Sequence, residues 1–523
     1  MPQYLHPGVY IEEIERGPRP IEGVPTSIPA FLGETERGPV TPHPVYSYRD
    51  YQRWFGDVFD RDKFVPYSIN GFFENGGTQA YIARLVSQDA ASGEVSAGDS
   101  FTIRASGPGK WCERIRVKVS DSTTTDSQKK PIGFRIQLAY WSTPKTPYDV
   151  FDPKAKGDAP DLIEDFDDLV TDEKSPDFYG KRFPFIDQDK GPLNQGPESS
   201  ALGILVRNKG AAADAKPANN SYTLSGGDDG KSLIDDDYTG LPVSGHRDIQ
   251  GLEALKLDPY RDISLVYSPA VANSTAKLIV EHCEKQRFRF AVFDSDKGAQ
   301  IGGDPLNPRN YITDSNYAAF YYPWIFVSDP RTGARKMIPP GGHVLGVYAR
   351  TDSDRGVFKA PANEILRGVL DLEADLNDAN QDTLNPLGVN VTRSFPGRGI
   401  RVWGARTITS NSLWKYVSVR RLFIFLERSI YEGTQWVVFE PNDERLWARV
   451  IDTIQLFLRT QWRLGALMGT TEKEAFHITC DRTTMTQDDI LNGRLICEIG
   501  IAPVRPAEFV VFRIFQDTAE AQQ

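Results

Sequence analysis

Two stretches carry the residue types from which phosphate sites are built: 225–232, SGGDDGKS, and 395–408, FPGRGIRVWGARTI. A phosphate-cradling loop needs G-x-x-x-x-G-K-[ST], in which backbone amides converge on the anion and the lysine neutralises it. Ser225 stands where the first glycine belongs, and Asp228 and Asp229 would repel the anion. The stretch reads instead as a turn after a strand at 222–224. In the second stretch Gly397 and Gly399 begin G-x-G-x-x-G, but Val402 stands at the third glycine. The run after Gly399 reads as a strand, not as a helix whose N-terminus could face a pyrophosphate. Its glycines are then turn residues. Arg398, Arg401 and Arg406 are left to bind carboxylates, in the same chain or across an interface, where the planar guanidinium fork suits bidentate pairing.

A third stretch, 341–346, GGHVLG, resembles the histidine motif of subtilisin-type serine proteases, with Asp294 or Asp329 upstream as an orienting acid. Acyl transfer also needs an activated serine in a G-T-S-type turn, and the nearest downstream matches are Gly433-Thr434-Gln435 and Gly469-Thr470-Thr471. Without that hydroxyl, a histidine and an aspartate make no acylation machinery. His343 therefore reads as a hydrogen-bonded structural histidine after a tight Pro-Pro-Gly-Gly turn. The six histidines form no H-x-x-x-H pair and the four cysteines no C-x-x-C pair, so no metal or other cofactor is expected. An inactive or cryptic subtilisin-like α/β hydrolase is the alternative that survives; an active enzyme is not expected.

Composition narrows the partners. With 40% hydrophobic and 25% charged residues the chain can bury a core, and 523 residues exceed what one core usually supports. A net charge of -11 without a lysine or arginine run argues against nucleic acid. Cys112, Cys283, Cys480 and Cys497 are too few and too scattered for a disulfide framework and read as reduced thiols. The longest apolar run, 317–327, is broken by Pro323 and is too short to span a bilayer. The chain reads as a soluble protein without membrane insertion.

The elements that must position these residues emerge from periodicity. Residues 262–269 and 288–294 read as strands around a helix at 274–285, a βαβ unit with a parallel sheet. Further on come a helix at 417–431, a strand at 435–439 and a helix at 442–464 capped by Asn442. The last has an apolar stripe of Leu446, Val450, Ile454, Phe457, Leu458 and Trp462, opposite Arg449, Asp452, Gln455 and Arg459. Residues 91–245 differ, with short β-like runs (SFTIRA, IRVKVS) and an acidic, loop-rich stretch at 145–190 that reads as plain surface. At each end lie strand-like runs on Pro- and Gly-rich tethers: 8–14 (GVYIEEI), then 494–501 and 508–516, separated by APVRP. An unpaired apolar strand is an aggregation hazard unless another sheet accepts it, in its own chain or in a neighbour.

Taken together the motifs resemble one family closely, the sheath proteins of contractile phage tails and related contractile injection systems. The residues carrying the resemblance are PGVYIEEI and GPRPIEGVPTSIPAFLGETERGP at the start, then TLSGGDDG, SNYAAFYYPWIFVSDP and IPPGGHVLGVYARTD. They continue with LNPLGVNVTRSFPGRGIRVWGARTI, RRLFIFLERSIYEGTQWVVFEPNDERLWARV, GALMGTTEKEAF and LICEIGIAPVRPAEFVVFRI. The resemblance implies an α/β (α+β) fold. Residues 26–90 and 246–380 would form a subtilisin-like but non-catalytic core with a parallel or mixed sheet. Residues 91–245 would be an inserted β-rich outer domain, 381–523 a C-terminal domain whose terminal arm begins near 494, and 1–25 an N-terminal arm. It further implies hexameric rings stacked as a helical sheath around an inner tube protein, with baseplate and terminal cap proteins as the other partners. Assembly would be cytoplasmic, and the finished particle cytoplasmic, extracellular or part of a virion. Val9, Tyr10, Ile11 and Glu12, with Phe509, Val510, Val511, Phe512, Arg513 and Ile514, are then the strands donated to neighbouring subunits. Arg398, Arg401, Arg406, Arg449, Asp452, Arg459 and Arg463 are candidates for sheath interfaces or the surface facing the tube.

Overall fold

The computed structural model describes residues 20–190, 198–240, 249–303 and 306–514. The expected strand at 8–14, with Val9, Tyr10, Ile11 and Glu12, lies outside the described residues. Contacts divide the chain into two compact units, Pro25–Arg421 and a second formed by the residues before Pro25 together with those from Leu422 onward.

The larger unit is organised by one nine-stranded sheet. Its strands are β1 (Pro29–Gly33), β2 (His43–Val45), β3 (Ala80–Arg84), β4 (Leu265–Tyr267), β5 (Phe290–Asp294), β6 (Ala318–Tyr322), β7 (Glu364–Ile365), β8 (Val389–Phe395) and β9 (Gly399–Val402). The spatial order is β7-β9-β8-β6-β5-β4-β1-β3-β2. β8, β6, β5, β4, β1 and β3 run parallel, and antiparallel strands close both edges. The sequences explain the arrangement: PAFLG, AYIAR and AAFYY are buried at every position, as strands covered on both faces by helices must be. The βαβ unit is present as β4, the helix α3 (Asn273–Gln286) and β5, with Leu265 in register with Phe290. Two further helices, α1 (Tyr48–Phe55) and α2 (Val65–Glu74), lie between β2 and β3 in the chain, and α4 (Gly341–Arg355) comes after β6.

Between β3 and β4 the chain builds two four-stranded sheets from short strands such as Phe101–Ala105, Ile115–Asp121 and Phe134–Tyr140. Here burial alternates along Phe101–Ala105 and Ile115–Asp121, the pattern of sheets with one wet face. Phe101, Ile103, Trp111, Ile115, Val117, Phe134, Ile136, Leu138, Tyr179 and Leu205 fill the core they share.

The unit boundary falls within α5 (Val417–Gly433). The second unit continues with α6 (Glu444–Arg463) and a two-stranded antiparallel ladder of Phe476–Thr479 with Glu498–Ile501. Several sequence expectations need correction here. The segment 435–439 is not a strand: Gln435–Val437 makes a single 3-10 turn, with Val438 and Phe439 exposed and paired to no strand among the described residues. The cap of α6 is Asp443, whose carboxylate accepts the Arg445 and Leu446 amides, and Asn442 instead receives the Trp447 indole N–H. Of the run 494–501 only Glu498–Ile501 forms a strand, and its partner is in the same chain.

Candidate functional site

The GGHVLG motif is a packing device. All of it lies on the first turns of α4, where Gly342, His343 and Gly346 are buried against α2 and Gly341 against the Tyr267 ring of β4. A Cβ built at Gly342 would lie 2.4 Å from the Ser68 carbonyl oxygen, and one at Gly346 would lie 2.5 Å from that of Phe72. One at Gly71 would lie 2.1 Å from His343 Nδ1. The glycines therefore let two helix backbones approach closely, with the imidazole filling the seam. His343 Nδ1 has no hydrogen-bond partner among the described residues, which corrects the expected hydrogen-bonded histidine, and burial holds its pKa down to about 4. Asp294 accepts from the Tyr267 hydroxyl and the Gly341 amide, and burial raises its pKa to about 7. Asp329 caps its own turn and binds Tyr67. Neither acid orients the histidine.

The SGGDDGKS loop is also accounted for by structure. It lies just beyond the strand Asn220–Thr223 and is stitched to the chain after β3 through the bridges Glu94–Ser225 and Ala91–Asp228. Asp229 accepts the Lys110 amide, and at Gly227 a Cβ would lie 2.2 Å from Cys112 Sγ, so the loop packs too closely there for a side chain. Beyond the carboxyl ends of β1 and β3 lies a cleft of about 670 Å³. Its cations are already engaged: Lys63 by Glu34, Arg84 by the Gly38 and Pro108 carbonyls, and Lys231 by Asp89.

In the stretch 395–408, residues 396–398 turn β8 into β9, with Gly397 (φ 71°) in the turn and Gly399 (φ 75°) directly after it at the start of β9, both in the left-handed region that glycine favours. Within the chain the arginines of this stretch also have other partners. Arg398 and Arg401 bind Asn363 and a backbone carbonyl, with Arg398 also over the Phe395 and Trp403 rings. Arg406 donates to the Asn385 carbonyl. The outer face of α6 holds Arg449, Asp452, Arg459 and Arg463. Arg449 pairs with Glu440 over the Trp436 ring, and Arg459 forks onto Glu472, so part of this face is spent on contacts inside its own unit. Asp452 and Arg463 are exposed.

The C-terminal segment presents the reverse of a core. Through residue 514 the expected strand makes no ladder among the described residues, and Phe509 (74%), Val510 (66%), Val511 (76%), Phe512 (86%) and Ile514 (95%) are exposed, with Arg513 among them. Sequence reasoning missed a second exposed apolar group. Phe439 is wholly exposed and has φ 68°, a left-handed conformation that costs a bulky residue about 1–2 kcal/mol. Its only trace in the sequence is an apolar run, WVVF, ended by Glu440-Pro441.

Residues 241–408 match the model of the phage tail sheath protein central domain, and 409–517 that of the phage tail sheath C-terminal domain. The chain belongs to the phage tail sheath family. The tail sheath protein of Vibrio phage KVP40 is 25% identical over 233 residues, covering 43% of this sheath protein and 34% of that one. That of Burkholderia phage BcepMu is 26% identical over 280 residues, covering 50% and 57%. This chain thus spans from a third to a little over half the length of these relatives.

Solved sheath structures share the fold. The PVC sheath complex of an extracellular contractile injection system, in its contracted state, superposes with a TM-score of 0.59 at 23% identity, covering all of both chains. The helical sheath of the anti-feeding prophage, also contracted, gives 0.58 at 24%, covering 98% and 99%. A sheath tail protein from Listeria innocua gives 0.56 at 11%, covering 91% and 95%. As expected from its motifs, this sheath protein combines an α/β core with additional β sheets.

Proposed function

We propose that this chain is the repeating sheath subunit of a phage-tail-like contractile injection system and has no catalytic role. It polymerises as stacked hexameric rings around an inner tube and, on a signal from the baseplate, contracts to drive the tube through a target envelope. The observation that carries this reading is the segment 509–514, an apolar run of β-forming residues left exposed by its own subunit. Strand addition to a neighbour's sheet satisfies both its backbone and its side chains. Val9, Tyr10, Ile11 and Glu12 serve the same purpose at the other end. Family membership supports the polymer, and the fold shared with contracted sheaths supports contraction.

Contraction then has a physical form. Compact units such as the nine-stranded sheet with its helices move as rigid bodies, while donated strands keep each subunit hydrogen-bonded to the next. The extended sheath is a kinetically trapped, less buried packing, and repetition along the polymer sums a modest release per subunit into mechanical work. The grip on the tube is polar, through Arg449, Asp452, Arg459 and Arg463 on α6, so that it can be released. Arg398, Arg401 and Arg406 sit at sheath–sheath contacts. Assembly is cytoplasmic, on a baseplate and under a terminal cap, and the finished particle stays in the cytoplasm, leaves the cell or forms part of a virion.

Expression of this protein alone, with negative-stain electron microscopy of the product, tests the reading. Hollow tubes of uniform diameter are expected, and deletion of residues 2–20 is expected to give folded subunits that do not polymerise. A monodisperse monomer at all concentrations overturns the proposal.

A further inference from the structure

Cys480 and Cys497 are distant in sequence and adjacent in the fold. Cys480 comes directly after Phe476–Thr479, Cys497 directly precedes Glu498–Ile501, and the antiparallel register sets Thr479 opposite Glu498. One more step along the ladder sets the two cysteines opposite each other. The parity of the ladder gives the kind of pair. The Ala502 amide donates to the Ala475 carbonyl, which makes 475 and 502 a hydrogen-bonded pair. Alternation from there makes 480 and 497 a non-hydrogen-bonded pair, in which Cα atoms stand about 4.5 Å apart, inside the roughly 4.4–6.8 Å that a disulfide spans. The two thiols hydrogen-bond to each other, and both are free.

Access differs between them. Cys497 is half-buried, while Cys480 is buried but lines an open cleft of about 410 Å³ with Trp447, Ala448 and Ile451. Cys112 and Cys283 are buried in the larger unit, one among the inserted sheets and the other on α3. Only the 480/497 pair combines a facing thiol with a route from solvent.

We infer that Cys480 and Cys497 are a modification site, converted to a cross-strand disulfide by an oxidant of the peroxide class. The chemistry balances in two steps. The Cys497 sulfur attacks hydrogen peroxide, the O–O bond breaks, and a sulfenic acid forms as the departing hydroxide takes up the thiol proton to leave as water. The Cys480 sulfur then attacks the sulfenic sulfur; the S–S bond forms, the S–O bond breaks, and a second water leaves with the Cys480 proton. Two thiols and one peroxide give one disulfide and two waters. Burial raises both thiol pKa values, that of Cys497 to about 12 with Cys480 adding to the rise. Thiolate is therefore scarce at neutral pH, and the bond forms slowly there and faster in alkali. It ties the hairpin at the base of the loop 481–496 and so fixes the strand from which the exposed C-terminal segment departs.

The experiment treats the full chain with hydrogen peroxide at pH 7 and pH 9, then applies alkylation in denaturant, tryptic digestion and mass spectrometry without reduction. The expected product joins peptides 474–482 and 495–513, weighs two hydrogens less than their sum, disappears on reduction and accumulates faster at pH 9. A non-reducing gel keeps it at the monomer position. In Cys497→Ser and Cys480→Ser the joined species is absent, and if either variant fails to fold the wild-type mass measurement still decides. Overoxidation of Cys497 without joined peptides overturns the inference. So does survival of both thiols after methionine oxidation, joining to Cys112 or Cys283, or a product found only as a dimer.

Discussion

Replacing Phe512 with serine is expected to leave the isolated subunit as stable as before while raising the concentration at which it assembles about ten- to a hundredfold. Phe512 is 86% exposed, so its truncation removes almost no contact within the chain. Strand geometry puts Val510, Phe512 and Ile514 on one face and Phe509, Val511 and Arg513 on the other. Because the charge of Arg513 belongs in water, the face of residues 510, 512 and 514 is the one that turns inward when a neighbour's sheet accepts the strand. Burying a side chain of this size contributes about 1.5–3 kcal/mol. At about 1.4 kcal/mol per factor of ten, that is the stated change per contact. Sedimentation across a concentration series reads the assembly threshold, and thermal unfolding of dilute subunits reads stability. Val511→Ser, on the opposite face, is expected to shift the threshold less. An unchanged threshold for Phe512→Ser, an equal shift for Val511→Ser, or a drop in subunit stability would each refute the reasoning.

Three other outcomes are expected from the geometry. Gly346→Val forces a Cβ to within 2.5 Å of the Phe72 carbonyl oxygen, and overpacking of about 1–3 kcal/mol should appear as a lower urea midpoint for the larger unit; an unchanged midpoint contradicts the helix-seam reading of GGHVLG. Asp294, His282 and His343 make stability depend on pH in opposite senses. Burial, with Arg289 beside it, holds His282 near pKa 3, and burial holds His343 near 4, so their stabilisation is present above the unfolded value of about 6.5 and is lost as pH falls, about 1.4 kcal/mol per pH unit each. Asp294, raised to about 7, contributes stability that is present below about 3.9 and lost as pH rises, so Asp294→Asn should steepen the loss on acidification between pH 6.5 and 4 by about 1.4 kcal/mol per unit in stepped-pH urea titrations; parallel curves contradict the burial of that carboxyl. Arg463→Glu should weaken co-sedimentation with tube protein in a salt-dependent way and leave unfolding unchanged, and undiminished co-sedimentation removes this residue from the tube-facing set.

The sequence made legible what local pattern dictates. The apolar runs of β4 and β5 and the stripe of α3 between them marked a parallel βαβ unit, and the 3.6-residue stripe from Leu446 to Trp462 marked α6. The segment 435–439 was misread because its β-forming residues carry no information about whether a sheet stands beside them. Asn442 and Asp443 are both good caps, and the choice fell to the residue whose carboxylate reaches two amides. The role of Gly342 and Gly346 could not be read at all, because the backbone they admit belongs to Ser68 and Phe72, far away in the chain. That Arg398 and Arg401 reach Asn363 could not be read either, because the pairing of β7 with β9 is what brings that residue beside them.

If the exposed C-terminal strand of each subunit completes a sheet in another, the crossing must be visible in the polymer itself. A cryo-electron microscopy reconstruction of the assembled sheath, at a resolution that traces the main chain, reads it without intermediaries. Residues 509–514 are expected to run hydrogen-bonded as a strand to a different subunit. Tracing them back onto the subunit that made them, with no strand crossing between copies, would contradict strand exchange and the polymer built on it.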